Sequence, residues 1–140
     1  MAIPAQLTLH VVSPDRKLAQ ELVDEVEIPG DTGYFGVLPG HTPLLASLSV
    51  GELWYRKGQE KVYLSIAFGF AEVLPDRVTI LAQIAEKADD IDIARAEAAR
   101  LRALDRLGKP PIELDFERAR VALMKSLMRL QVASRARTRV

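Results

Sequence analysis

The chain has 140 residues and a mass of 15.5 kDa, with 19 Lys+Arg against 19 Asp+Glu, two histidines and no cysteine. That length holds one domain or two small ones and excludes a large multidomain enzyme, and the missing cysteines exclude disulfides, thiolate metal sites, iron–sulfur clusters and thiol nucleophiles. At 49% hydrophobic and 27% charged residues the composition is that of a folded soluble chain. No apolar run reaches the roughly 18 residues of a membrane span, and Met1 to Leu9 lacks the basic start and apolar core of a secretion signal, so a soluble protein of a reducing compartment is expected.

Residues 5–84 alternate with period two and are broken by turn formers every eight to twelve positions, an all-β texture. Leu7, Leu9 and Val11 alternate with Thr8, His10 and Val12, and Val26 and Ile28 follow. The glycines from Gly30 to Gly40 then punctuate the chain, and Gly33-Tyr34-Phe35-Gly36, too short and apolar for a phosphate cradle, reads as a bend between strands. Leu53 and Tyr55 run into Lys57-Gly58-Gln59-Glu60, and Val62, Leu64 and Ile66 return, which predicts a hairpin. A second hairpin turns at Pro75-Asp76 between Phe70–Leu74 and Val78, Ile80 and Ala82. Six or more short strands of this kind predict a sandwich or flattened barrel, because one flat sheet leaves an apolar face wet.

From about Asp89 the period lengthens to that of a helix. Asp89, Asp90 and Asp92 cluster where a helix start favours negative charge, and Gly108 with Pro110-Pro111 stops the helix. Asp115 is the expected cap of a second helix. Its stripe of Phe116, Ala119, Leu123, Leu127 and Leu130 matches Ala94, Leu101, Leu104 and Leu107 on the first, so residues 88–140 are expected as an antiparallel αα-hairpin after a β domain over 1–87. Such a hairpin buries little by itself and needs a partner surface. The zero net charge conceals a split: residues 1–87 carry −4 and residues 88–140 carry +4, with no acid between Arg118 and Val140. That stretch seeks a negative partner, though a solvated helix face with a basic tail accounts for it equally.

No nucleophile elbow, phosphate loop, carboxylate dyad or metal-binding set is visible, so no catalytic residue, metal site or required cofactor is expected. His41, between Gly40 and Thr42-Pro43, reads as a hydrogen-bonded structural histidine, and His10 is weaker still.

The run from Gly33 to Leu45, Gly-Tyr-Phe-Gly-Val-Leu-Pro-Gly-His-Thr-Pro-Leu-Leu, resembles the G-x-x-G-x-x-P-G-H-x-P-L segment of the ε subunit of rotary F-type ATP synthases. Phe68-Gly69-Phe70-Ala71-Glu72-Val73 and Val78 to Gln83 are similar to that family's last sandwich strands, and Ala88 to Ala96 to the opening of its first C-terminal helix. The resemblance spans nearly the whole chain and implies a non-catalytic rotor subunit. In that family the sandwich binds the γ subunit and sits on the c-ring, coupling proton-driven rotation to the catalytic head. It implies that Asp31, Thr32, Gly33 and Tyr34 face the c-ring, with Tyr34 where members often place a carboxylate and Asp31 the nearest acid, and that His41 and Thr42 face γ.

The resemblance further implies a hairpin that folds down or extends into the head to brake ATP hydrolysis, with Arg118, Arg120, Lys125 and Arg129 meeting an acidic segment of the α/β head. Some bacterial members bind ATP as a regulatory ligand through an I/L-D-x-x-R-A motif. Ile91, Asp92, Arg95 and Ala96 match it, accompanied by Leu81, Glu86, Arg102 and Arg129. Lys125 stands where such members have arginine and turns a bidentate phosphate contact into a point charge. By residue type alone Asp92 is equally a helix cap, and Arg95 and Arg102 solvated rungs. The expected place is the cytoplasmic face of the bacterial inner membrane, held there by partners. Two other classes stay open on residues alone: a nucleic-acid-associated adaptor using the basic stretch, against which the chain offers no aromatic platform, and a stand-alone nucleotide sensor.

Overall fold

Alternation at the head of the chain becomes β1 (Leu7–Val12), whose odd residues are buried and even ones half-buried. The computed structural model describes residues 2–109 and 113–137, the side chains of Glu113, Leu114 and Arg137 excepted, so the stop predicted at Pro110-Pro111 and the terminal Arg139 and Val140 lie outside the described residues. After β1 come β2 (Lys17–Val23), β3 (Glu25–Gly30), β4 (Gly33–Val37), β5 (Leu44–Lys57), β6 (Glu60–Leu74) and β7 (Arg77–Lys87). They form one seven-stranded ladder in the order β2-β1-β7-β6-β5-β3-β4, antiparallel throughout except between β1 and β7.

The ladder folds over on itself. Residues from its two halves, among them Leu9, Val23, Ile28, Leu53, Leu64 and Ile80, share one buried cluster. Strands β2 and β5, which are not ladder neighbours, meet where Tyr55 Oη donates to Glu21 Oε2 at 3.1 Å and Lys57 Nζ lies 3.0 Å from Glu21 Oε1. The sheet is therefore the expected sandwich, with each large aliphatic taken from water contributing about 1.5–3 kcal/mol.

Both predicted hairpins are present. Lys57 pairs with Glu60 around Gly58 (φ +62°), and Leu74 with Arg77 around Pro75-Asp76. Two of the strands are long rather than short, and β6 bends at Phe68 (φ +63°) and Gly69 (φ +125°). A Cβ on Gly69 would lie 2.1 Å from the Leu81 carbonyl oxygen, so only glycine fits this close approach. The bend predicted at Gly33–Gly36 is instead the edge strand β4, paired with β3 from Val26↔Val37 to Gly30↔Gly33. Glycine spacing suggested a loop there, but tertiary pairing overrides weak local preference.

The chain separates into two compact units, residues 1–87 and 88–140. The second begins with a 3₁₀ turn at Ala88–Asp90 and contains α1 (Ile93–Leu107) and α2 (Glu113–Arg137). Asp92 caps α1, its Oδ1 accepting the Arg95 N–H at 3.1 Å. Gly108 closes α1 with φ −80°, so it is not used for left-handed geometry. Asp115 lies inside the first turn of α2, which starts three residues earlier than the cap reading placed it.

The leucine stripes are displaced too. The buried positions are Ala96 and Ala103 on α1 and Ala119, Ser126, Val132 and Ala133 on α2, all but Val132 in series seven residues apart, while Leu107, Leu123 and Leu130 are half-buried and Leu101, Leu104, Phe116 and Leu127 are exposed. Seven residues are nearly two helical turns, so small side chains repeat along one seam, and helices that meet through alanine approach more closely than helices that meet through leucine. Ser126 is tolerated there because its Oγ donates to the Leu123 carbonyl at 2.9 Å.

Candidate functional site

The tip of the β3–β4 hairpin is built by glycine at both ends of an Asp31-Thr32 turn, Gly33 with φ +133°. It is bolted to β5. Asp31 N–H donates to the Ser47 carbonyl at 2.9 Å, and Ser49 Oγ donates to the Gly30 carbonyl at 3.3 Å. Between Glu27↔Trp54 and Gly30↔Leu48 the β3–β5 register shifts, because β5 bulges around Gly51. A bulge leaves backbone donors without ladder partners, and here the Glu52 N–H donates to Tyr34 Oη at 2.9 Å. Pro29 and the Tyr34 hydroxyl crowd Gly51 so closely that an added Cβ would lie 2.3 Å from Pro29 Cβ and 2.7 Å from that oxygen.

Beneath the tip lies a cleft of about 570 Å³ bounded by residues 30–35 and 44–47. Leu44 and Leu45 give it an apolar wall, Leu45 with 72% of its surface in solvent. The four residues Asp31, Thr32, Gly33 and Tyr34 are thus assembled on one edge. Gly51, Ser49 and Glu52 were missed by sequence reasoning, although a glycine inside a strand pattern is the ordinary signal of a bulge.

His41 and Thr42 follow β4 in a turn where His41 N–H donates to the Leu38 carbonyl at 3.2 Å and Gly40 N–H to the Pro75 carbonyl at 2.7 Å. His41 Nδ1 lies 2.6 Å from the Thr42 carbonyl, which makes that nitrogen a donor. The histidine is half-buried and Thr42 exposed.

The residues of the nucleotide set divide between the two units. Leu81, exposed, and Glu86, half-buried, are on β7. In the helical unit Ile91 and Ala96 are buried packing residues and Asp92 is the α1 cap, while Arg95 and Arg102 are exposed and share one face of α1, seven residues apart. At about 100° per residue, Arg118, Lys125 and Arg129 fall on one side of α2 and Arg120 on the opposite side. Arg120 pairs with Glu117 at 3.0 Å, and its Nη1 approaches Met124 Sδ at 3.3 Å. The bases of α2 therefore form no single stripe.

A charged corner holds the β2–β3 connection to the β5–β6 turn. Asp24 Oδ2 accepts the Gly58 N–H at 2.6 Å and Oδ1 accepts from Gln6 at 3.3 Å, while Arg56 reaches Glu25 at 2.8 Å. The Gly58 amide, then Gln6 and Arg56, hold the Asp24 carboxyl below its usual range despite some desolvation. At Glu21 burial pushes upward, but hydrogen bonds from Lys57 and Tyr55 and the charges of Lys57 and Lys87 outweigh it, so its pKa is also lowered. Among the described residues no helix is long and apolar enough to cross a membrane, and no group of His, Asp and Glu is placed to hold a metal.

A family model described as ATP synthase, Delta/Epsilon chain, beta-sandwich domain matches residues 6–88, and one described as ATP synthase, Delta/Epsilon chain, long alpha-helix domain matches residues 89–134. The ATP synthase epsilon chain of Syntrophobacter fumaroxidans is 50% identical over 130 residues, 93% of this chain and 97% of that protein. ATP synthase epsilon chain 2 of Syntrophotalea carbinolica is 47% identical over 131 residues, 93% of this chain and 95% of that one. Among solved structures, a chain of the Euglena gracilis mitochondrial ATP synthase OSCP/F1/c-ring assembly superposes with a TM-score of 0.81 at 28% identity, covering 98% of this chain and 84% of its own length.

Proposed function

From the premise that this chain belongs to the ATP synthase delta/epsilon family, as an epsilon-type subunit, we propose that its sandwich couples rotation of the c-ring to the catalytic head through γ. The helical unit restrains ATP hydrolysis. The observation that carries this reading is the division of labour between the units. The sandwich has a branched, long-range core and a rigid tip, suited to a permanent interface where shape complementarity matters more than charge. The hairpin meets through alanines and leaves Leu101, Leu104, Phe116 and Leu127 exposed, an apolar surface open to a partner, with bases on both sides of α2 to steer it toward acid.

Under the same proposal Asp31, Thr32, Gly33 and Tyr34 face the ring, His41 and Thr42 face γ, and Arg118, Arg120, Lys125 and Arg129 face the α/β head. The subunit has no active site of its own and works at the cytoplasmic face of the membrane through its partners, without inserting. ATP acts as a regulatory ligand through Asp92, Arg95 and Arg102, supported by the two exposed arginines on one face of α1. Calorimetric heat of ATP binding is expected to disappear in Arg95→Ala and Arg102→Ala, and its survival in both would remove that site.

The deciding experiment compares ATP hydrolysis and proton pumping in membranes carrying the cognate enzyme with either the full chain or a chain ending at Lys87. Faster hydrolysis with pumping still coupled is expected from the shorter chain. Equal rates would deny the hairpin a restraining role.

A further inference from the structure

The two end strands of the ladder differ. At β2 the edge is blunted: Lys17 and Glu21 stand on it, Lys17 Nζ donating to Gln20 Oε1 at 2.6 Å, and the β1–β2 register shifts between Val11 and Val12. Strand β4 has none of these devices. Gly33-Tyr34-Phe35-Gly36-Val37 carries no charge and no proline, and among the described strands it pairs with β3 alone. Which of its groups face outward follows from the turn. Gly30↔Gly33 closes a two-residue loop, so Gly33, Phe35 and Val37 direct their hydrogen bonds to β3, and the N–H and C=O of Tyr34 and Gly36 point away from the sheet. Both residues are exposed. Neither shields its own edge, because Gly36 has no side chain and the Tyr34 ring leans inward over Gly51 with its hydroxyl on the Glu52 N–H.

We propose that β4 is a docking edge for a second copy of this chain, the two strands pairing antiparallel about Phe35 and joining two sheets into one. Symmetry selects this occupant. A two-fold axis through Phe35 sets Tyr34 of each copy against Gly36 of the other, so the residues whose backbone groups point outward meet each other and every such N–H finds a C=O. Phe35 faces its own image in the close position between those bonded pairs, where aromatic cross-strand pairs add stabilisation. No charge on the strand opposes itself. The nearest carboxylate across the ladder, Glu27 opposite Gly36, lies at least three strand spacings from its image, roughly 14 Å, beyond the Debye length of about 10 Å at 0.1 M salt. A contact along one short strand buries far less than a standard interface, so the pairing is weak and concentration-dependent. It concerns the backbone edge of the unassembled chain and stands apart from the roles proposed above.

The test is sedimentation velocity of the free full-length chain over rising concentration, with hydrogen exchange read at single amides at both ends of that range. The mass is expected to rise from one chain's 15.5 kDa toward twice that value. The Tyr34 and Gly36 amides are expected to exchange about tenfold more slowly at high concentration, while those of Phe35, already bonded to β3, and of Leu22 on the β2 edge do not change. Gly36→Pro removes one outward donor and leaves the β3 ladder in place, since an added Cβ meets nothing nearer than Glu27 Oε2 at 3.6 Å; it is expected to remain a single chain at every concentration. Gly36→Ala keeps the donor and is expected to associate like the parent. A parent chain that stays single throughout overturns the proposal, and so does association with Tyr34 and Gly36 unprotected, which would put the contact on another surface. Association of Gly36→Pro equal to that of the parent, or equal loss in both variants, overturns the backbone pairing. If the parent stays single while Gly36→Pro weakens rebinding to the cognate enzyme stripped of this subunit, the edge receives a strand of another chain and the second copy is excluded.

Discussion

The two units of this chain are held together by different physics. In the sandwich, residues far apart in sequence, such as Leu9 and Val78 or Val26 and Tyr55, are ladder neighbours, and the core is made of large branched side chains. In the hairpin the buried positions are alanine and serine apart from Val132, and each alanine or serine buried there withdraws far less apolar area than a leucine would. A unit of the first kind opens only as a whole, whereas one of the second kind separates at modest cost. The contrast suits a subunit in which one part is meant to stay seated and the other to change partners.

The sharpest way to break the contrast is at the bend of β6. Gly69→Val forces a β-branched residue to φ +125° with its Cβ on the Leu81 carbonyl, so the sandwich should lose more than about 3 kcal/mol or fail to fold. Urea denaturation followed by the fluorescence of Trp54 would read it, and a midpoint within error of the parent would show that the bend can relax. Next comes the core: Leu64→Ala should cost about 2–5 kcal/mol in the same assay. Overfilling the helical seam with Ala103→Leu should cost about 1–3 kcal/mol, seen as loss of helical ellipticity while the Trp54 transition stays in place. A shift of both signals together would mean that the units do not fold separately. Removing the α1 cap with Asp92→Ala should cost about 1 kcal/mol of that helical transition. Leu127→Ala should be the smallest, within about 0.5 kcal/mol, because 48% of that side chain's residue surface is in solvent. A loss as large as that of Leu64→Ala would put a partner surface over it.

Acid sharpens the comparison from another side. Glu21 and Asp24 have folded pKa values below their unfolded ones, so their contribution is complete above the ordinary carboxylate range and is lost as pH falls through the lowered values. The sandwich should therefore weaken below about pH 4.5, with the charged corner between Asp24 and the Gly58 turn opening early. In an acid titration, loss of amide protection at Gly58 no earlier than in the core strands would exclude that order.

Much of the site was legible because it is local. The His41 loop, the Asp92 cap and the two hairpin turns at Gly58 and Pro75-Asp76 are each decided by a few neighbouring residues, and glycine, proline and aspartate announce them. The bulge at Gly51 was not read, since its meaning depends on Pro29 and Tyr34 arriving from another strand. The leucine stripes were misread for a related reason. Leu101 and Leu127 satisfy the helical period, but period alone identifies a candidate face, and the face that packs is the one that allows two helices to come closest.

By itself, then, the sequence determined the switch from a period of two to one near 3.6, the turns, the charge split between the two parts and the motifs that place the chain in its family, all of them properties of short windows. Only the tertiary structure decided that Gly33–Val37 is an edge strand, that Tyr34 anchors the tip through the Glu52 amide and that alanines line the seam. Each of these depends on a contact between residues whose distance along the chain says nothing of their distance in space.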